Sequence, residues 1–209
     1  MHAFRLPLLA IIGRKCAKFH ERANLKVLPF LPFLRKSSLF RSMDGALAAF
    51  NRQAGPAEKL LEEMKLDGVF PVPLEAIAKQ KGYDCLVFDP IANPQLADVA
   101  GMVNHEAKKI FINRNDNILR QRFTLAHEIG HIVLHQGRSV VDFRKNIEQP
   151  STPEEVEANR FAADLVMPAI PFIKEWLQGS GDYDSIVKRF GVSAQAAKIR
   201  AQTFKLDNP

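Results

Sequence analysis

Cysteine is nearly absent from this chain. Cys16 and Cys85 are the only two in 209 residues, and neither has a second cysteine at metal-ligand spacing. A disulfide framework and a cysteine-based zinc finger are both excluded, and the two thiols read as reduced and inert, as in a cytoplasmic protein. No glycine-rich phosphate loop occurs, which removes the nucleotide-binding folds built on one. Long apolar runs are missing as well. The stretch Leu6–Ile12 is interrupted by a proline and far too short to cross a bilayer, so no transmembrane segment is expected. Internal repeats and low-complexity tracts are also lacking.

Acidic residues are scarce in one place only. Residues 1–43 hold nine Lys/Arg against one acidic residue, whereas residues 44–209 hold 20 against 22. The formal net charge of +6 therefore belongs to the N-terminal stretch, and bulk charge gives the remainder no affinity for nucleic acid. Pro29 and Pro32 break any long helix in that stretch. Its composition resembles a targeting peptide without a small-residue cleavage site, and a basic Leu/Phe-rich segment can also lie on anionic lipid. The plainest expectation is a disordered extension, or an upstream start, over residues 1–43. A core over 44–168 and a helical region over 169–209 would follow, enough chain to bury one hydrophobic centre.

Against this plain background stands His127-Glu128-Ile129-Gly130-His131. Helical positions four apart stack on one face about 6 Å apart, so two imidazoles there can share one ion. Glu128 follows the first histidine and can act as base toward a water in an open metal position. Phe123, Leu125, Ala126, Ile129, Ile132, Val133 and Leu134 make this helix apolar over most of its circumference. Buried histidines and a buried glutamate need partners, and a metal supplies them.

A third protein ligand is expected on a second helix, Thr152–Met167. Ser151 or Thr152 can cap it, Pro153 suits its first turn, and Glu154 and Glu155 favour its positive end. Glu154, Glu157, Phe161 and Asp164 share one stripe, and Glu157 lies deeper in the apolar run, which makes it the expected third ligand. Glu154 and Glu155 read as ordinary N-terminal helix charge.

Two runs carry a resemblance. Arg122-Phe123-Thr124-Leu125-Ala126-His127-Glu128-Ile129-Gly130-His131-Ile132-Val133-Leu134-His135 resembles the signature of the ImmA/IrrE family of bacterial metallopeptidases. Glu157-Ala158-Asn159-Arg160-Phe161-Ala162-Ala163-Asp164-Leu165-Val166-Met167-Pro168 is similar to that family's second motif. The likeness extends from about Pro71 to Asn208. It implies an α+β, zincin-like metallopeptidase core with a small mixed or antiparallel sheet packed on the HExxH helix, followed by a helix-turn-helix-like C-terminal region. It further implies one Zn2+ held by His127, His131 and Glu157, with Glu128 as catalytic base. The substrate implied is a helix-turn-helix repressor, since family members are associated with cleaving such proteins.

Other residues complete the set of expectations. His135 continues the ligand face but lies more than a turn beyond an ion between His127 and His131, and the longer metzincin pattern is missing. Asn159 and Asp164 are candidates for orienting a ligand imidazole, Asp164 the better of the two. His105 and Tyr183 are chemically able to stabilise an oxyanion. Strands are expected at Tyr83–Phe88, Asp98–Asn104 and Lys108–Asn113, with Gly101–Asn104 or Lys109–Asn113 serving as the edge that aligns a peptide. Helices are expected at Ala57–Leu66 and Pro73–Gln80. Tyr183–Ala201 reads as helix, glycine turn and Ser193-capped helix, with Lys188, Arg189, Lys198 and Arg200 able to meet phosphates. That unit supports the alternatives: a DNA-binding or toxin–antitoxin-type regulator with a structural zinc, or a non-catalytic binder of a repressor.

Overall fold

The computed structural model of the chain describes residues 54–92, 94–135, 140–143 and 152–206, with backbone alone for 140–143. The expected extension over 1–43, Cys16, Ser151, and Gln136–Gly137, where the HExxH helix is expected to end, lie outside the described residues. In chain order the elements are α1 (Pro56–Glu63), α2 (Leu74–Gln80), β1 (Asp84–Phe88), β2 (Val99–Asn104), β3 (Lys109–Asn113), α3 (Ile118–Leu134), β4 (Val140–Phe143), α4 (Pro153–Val166), α5 (Ala169–Gln178), α6 (Tyr183–Phe190) and α7 (Ala194–Thr203).

Local chemistry sets most of these boundaries. Asn117 caps α3 by accepting from the Arg120 amide, and Thr152 caps α4 by accepting from the Glu155 amide, with Pro153 in its first turn. Ser193 caps α7 through the Ala196 amide. Gly191 ends α6 at φ 63°, in the left-handed region that costs a glycine little. The expected helix from Ala57 stops at Glu63 and does not run to Leu66, because the chain turns at Lys65 with φ 57°.

Four strands form one sheet in the order β1-β3-β2-β4. β1 runs parallel to β3, while β2 pairs antiparallel with both β3 and β4. β4 is the strand that sequence reading missed. It takes up the second edge of β2, so β2 and β3 are both interior and neither can accept an added peptide strand. The expected alignment of substrate on Gly101–Asn104 or Lys109–Asn113 is thereby corrected. The edges of the sheet are β1 and β4.

α3 lies against β2 and β3, and its Leu125, Ala126 and Ile129 are buried in the common hydrophobic core. α4 lies against α3 at short range. A Cβ built on Gly130 would come 3.1 Å from Phe161 Cδ1 and 3.3 Å from the Ala158 backbone, so a side chain there would push the helices apart. An aromatic cluster joins the C-terminal helices to this core. Phe172 packs beside Phe190 and Phe204 with ring centroids 6.0 and 5.8 Å away, and Phe70 meets Phe190 edge-on at 4.9 Å.

Two arginines, Arg122 half-buried and Arg200 buried, tie the same region to the core. Arg122 on α3 donates to the carbonyls of Val72 and Gly191, and burial holds its guanidinium below its ordinary value. Arg200 on α7 donates to Met167 O and, at 2.6 Å, to Asp164 at the end of α4. Arg189 pairs with Glu175 at 3.2 Å and sits over the Phe70 ring. Of the four cations expected to reach phosphate, Arg200 is thus engaged inside the protein, while Arg189 is exposed and paired with Glu175. Cys85 is half-buried, and its thiol is pushed up to about 11 by that burial and by Glu75 and Asp84, consistent with an unreactive residue.

Candidate metal centre

His127, Glu128 and His131 are all fully buried on the face of α3 that meets α4 and β2. The i, i+4 spacing turns both histidine Nε2 atoms to a common point, where they lie 3.0 Å apart. Two nitrogen lone pairs at that distance repel unless a proton or a cation lies between them. The tautomer follows from the far side of the first ring. His127 Nδ1 lies 3.0 Å from Asn159 Oδ1, an oxygen that only accepts, so Nδ1 carries the hydrogen and Nε2 presents its lone pair.

The carboxylate that joins them is Glu155. Its Oε2 lies 3.3 Å from His127 Nε2 and its Oε1 lies 3.6 Å from His131 Nε2, with the residue buried. His127, His131 and Glu155 are the one group of metal-capable residues that converges within 4.8 Å among the described residues. A tetrahedral ion with ligand bonds of about 2.0–2.1 Å separates its ligand atoms by about 3.3 Å. The three observed separations bracket that value, so the donor set fits a divalent ion of zinc size.

The expected ligand Glu157 is not brought to this point. Its side chain is 62% exposed, and its Oε2 lies 3.6 Å from His135 Nε2 on the outer side of α4. Helix geometry explains the difference: two residues along α4 amount to about 200° around its axis. Glu155 shares a face with the buried Ala158, Ala162 and Leu165, whereas Glu157 shares one with Arg160 and Asp164. That contrast was present in the sequence. The stripe through Glu157 contains Asp164 as well as Phe161, whereas the positions three and seven residues on from Glu155 are both alanine.

The supporting residues divide similarly. Asn159 is placed against His127, as the orienting role requires. Asp164 is instead held by Arg200, with Arg160 4.0 Å away. His105 lies in the turn after β2, its Nδ1 2.6 Å from the Tyr83 hydroxyl, which also accepts from Lys108. Tyr183 opens α6 and packs edge-on to Trp176, centroids 5.0 Å apart. His105 thus stands at the turn beyond β2, and Tyr183 at the start of α6.

Glu128 lies on the side of α3 that faces β2. A Cβ built on Gly101 would overlap Glu128 Oε1 and come 2.6 Å from Thr124 Cγ2. Thr124, one helical turn before Glu128, is fully buried, and its hydroxyl has no hydrogen-bond partner among the described residues.

A small mixed sheet, a long helix carrying HExxH across it, and a second helix returning a carboxylate to the two imidazoles define an α+β, zincin-like fold. The chain belongs to the peptidase family described as the IrrE N-terminal-like domain, whose model matches residues 87–202. A curated relative is similar over part of its length. "Uncharacterized immunity region protein 2" of Bacillus phage phi105 is 34% identical over 94 residues, which is 44% of this chain and 58% of that protein. The match thus covers less than two thirds of the relative. Among solved structures, a Mycobacterium tuberculosis transcriptional regulator superposes with a TM-score of 0.50 at 18% identity, over 81% of this chain and 52% of that one. A likeness of that degree concerns the fold.

Proposed function

We propose that the chain is a zinc-dependent endopeptidase that cleaves a helix-turn-helix repressor in the cytoplasm. The observation that carries the reading is the convergence of His127 Nε2, His131 Nε2 and a Glu155 carboxylate at tetrahedral spacing, with Glu128 adjoining. Residues 44–168 would carry the chemistry and residues 169–209 would brace it. The phage relative's place in an immunity region supports a repressor as substrate. Among the described residues, no helix is long and apolar enough to cross a membrane.

His127, His131 and Glu155 would hold the ion, leaving a fourth position open. When bound, zinc supplies a Lewis acid for the scissile carbonyl and makes a nearby water more acidic. Asn159 keeps His127 in the tautomer that offers Nε2. Glu128 takes the proton from the attacking water and returns it to the leaving nitrogen, so that amide and water become carboxylate and amine. The apolar surroundings of α3 keep this carboxylate away from bulk solvent, which strengthens its interaction with charge developing beside it.

The test is incubation of the purified chain with the product of its neighbouring gene, the first repressor candidate, followed by intact-mass analysis. Glu128→Gln should keep full zinc content and lose cleavage by at least three orders of magnitude, on the order of a lost general base and its orientation. Glu155→Ala should lose zinc, whereas Glu157→Ala should keep both zinc and cleavage. Undiminished proteolysis by Glu128→Gln, or zinc loss in Glu157→Ala but not in Glu155→Ala, would contradict the assignment.

A further inference from the structure

Gly101 interrupts an otherwise side-chain-bearing strand, Val99-Ala100-Gly101-Met102-Val103-Asn104, at an interior position of the sheet. A glycine there weakens a strand, so its presence calls for a reason. The β2–β4 register shifts between Val99 and Gly101, but Gly101 is not among the glycines with positive φ, so its backbone conformation alone does not demand a glycine. Space does. A Cβ at this position would overlap Glu128 Oε1, stand 3.2 Å from Glu128 Cδ, and lie 2.6 Å from Thr124 Cγ2. The missing side chain therefore creates a slot in β2, and the tip of Glu128 fills it. The Thr124 methyl, one turn earlier on α3, reaches the same point and forms a wall of the slot.

We propose that Gly101 and Thr124 are positioning residues for the base, forming a notch that fixes where the Glu128 carboxylate stands relative to the His127–His131–Glu155 group. The inference rests on the reading of Glu128 as general base for its catalytic meaning, but the notch itself is a matter of packing. A carboxylate on a three-bond side chain has several rotamers, and the notch accommodates the one whose tip lies against Gly101 beside the Thr124 methyl. Displacing a catalytic group by about 1 Å typically lowers turnover on the order of a hundredfold, without a comparable effect on substrate binding. Adding one methyl at position 101 achieves such a displacement, because the nearest obstacle is the carboxylate. The metal ligands need not move, since none of them is among the three atoms nearest the added Cβ.

The experiment compares Gly101→Ala in two backgrounds and reads three quantities. In the otherwise wild-type chain, zinc per chain should stay at the wild-type value. For a quenched fluorescent peptide that the wild-type chain cleaves, kcat should fall at least tenfold with KM changed less than twofold. The melting temperature should fall by several degrees. In the background Thr124→Ser, Glu128→Ala, which removes both side-chain obstacles, the same Gly101→Ala change should cost less than half that shift. If Gly101→Ala does not fold in the first background, recovery of folding in the second supports the notch. An unchanged kcat, loss of zinc, or an equal melting shift in both backgrounds would overturn it. Should the wild-type chain cleave no peptide at all, the endopeptidase reading fails while the melting cycle and zinc content still decide the notch.

Discussion

At the scale of single residues, the site is a set of polar groups that burial obliges to find partners. His127, His131 and Glu128 are buried as deeply as the leucines around them, and each would be costly without a counter-group. Thr124 shows the reverse situation, a buried hydroxyl with no partner among the described residues. Removing such a hydroxyl while keeping the side chain's shape is neutral or stabilising, by up to about 1 kcal/mol. Thr124→Val should therefore melt no lower than the wild-type chain in a thermal scan. A clear drop would show that the hydroxyl has a partner in solution.

At the scale of elements, the two motif helices are held by their neighbours as much as by each other. Arg200 reaches from α7 to the last turn of α4, where it serves both Met167 O and Asp164. Arg200→Leu would leave a half-buried carboxylate and a buried carbonyl without their donor. The change should cost about 3 kcal/mol of stability in urea unfolding, while zinc content at saturating metal stays unchanged. Had Arg200 served to grip phosphate, its loss would leave stability intact.

Legibility in the sequence also varied by element. α2, with Leu74, Ile77 and Ala78 inward, and the capped start of α4 follow from local chemistry alone and appear where periodicity and capping put them. β4 does not, because its four residues pair with β2 about forty positions earlier, and pairing at that range leaves no local trace. The choice between Glu155 and Glu157 turned on which face of α4 meets α3. The small residues Ala158 and Ala162 answer that question, and an argument from depth along the helix could not. The contacts His105–Tyr83 and Tyr183–Trp176 likewise join residues whose meeting no spacing rule encodes.

At the scale of the whole molecule, one ion would join α3 and α4, the helices that meet where Gly130 approaches Ala158. A ligand bound only by the folded state stabilises it by about 4 kcal/mol when present at a thousand times its dissociation constant. For a unit of this size that corresponds to a melting shift on the order of 10 °C. Dialysis against a chelator should lower the melting temperature by about that amount, and added zinc should restore it. The Glu155→Ala chain should melt at one temperature in either buffer. Equal melting of the wild-type chain with and without chelator would mean that the three donors hold no ion in solution.

The amide of Asn159 has an electrical consequence. Many orienting groups behind a metal-bound histidine are carboxylates, and each brings a full negative charge into the interior. Here the group behind His127 is neutral. With two neutral imidazoles, the carboxylates of Glu155 and Glu128 are the only formal charges the set would contribute, and the divalent ion proposed for the site would cancel them. A centre so loaded would carry no net charge and could sit deep in apolar surroundings without a further counter-ion. Charge would accumulate there only as the bond under attack began to develop it.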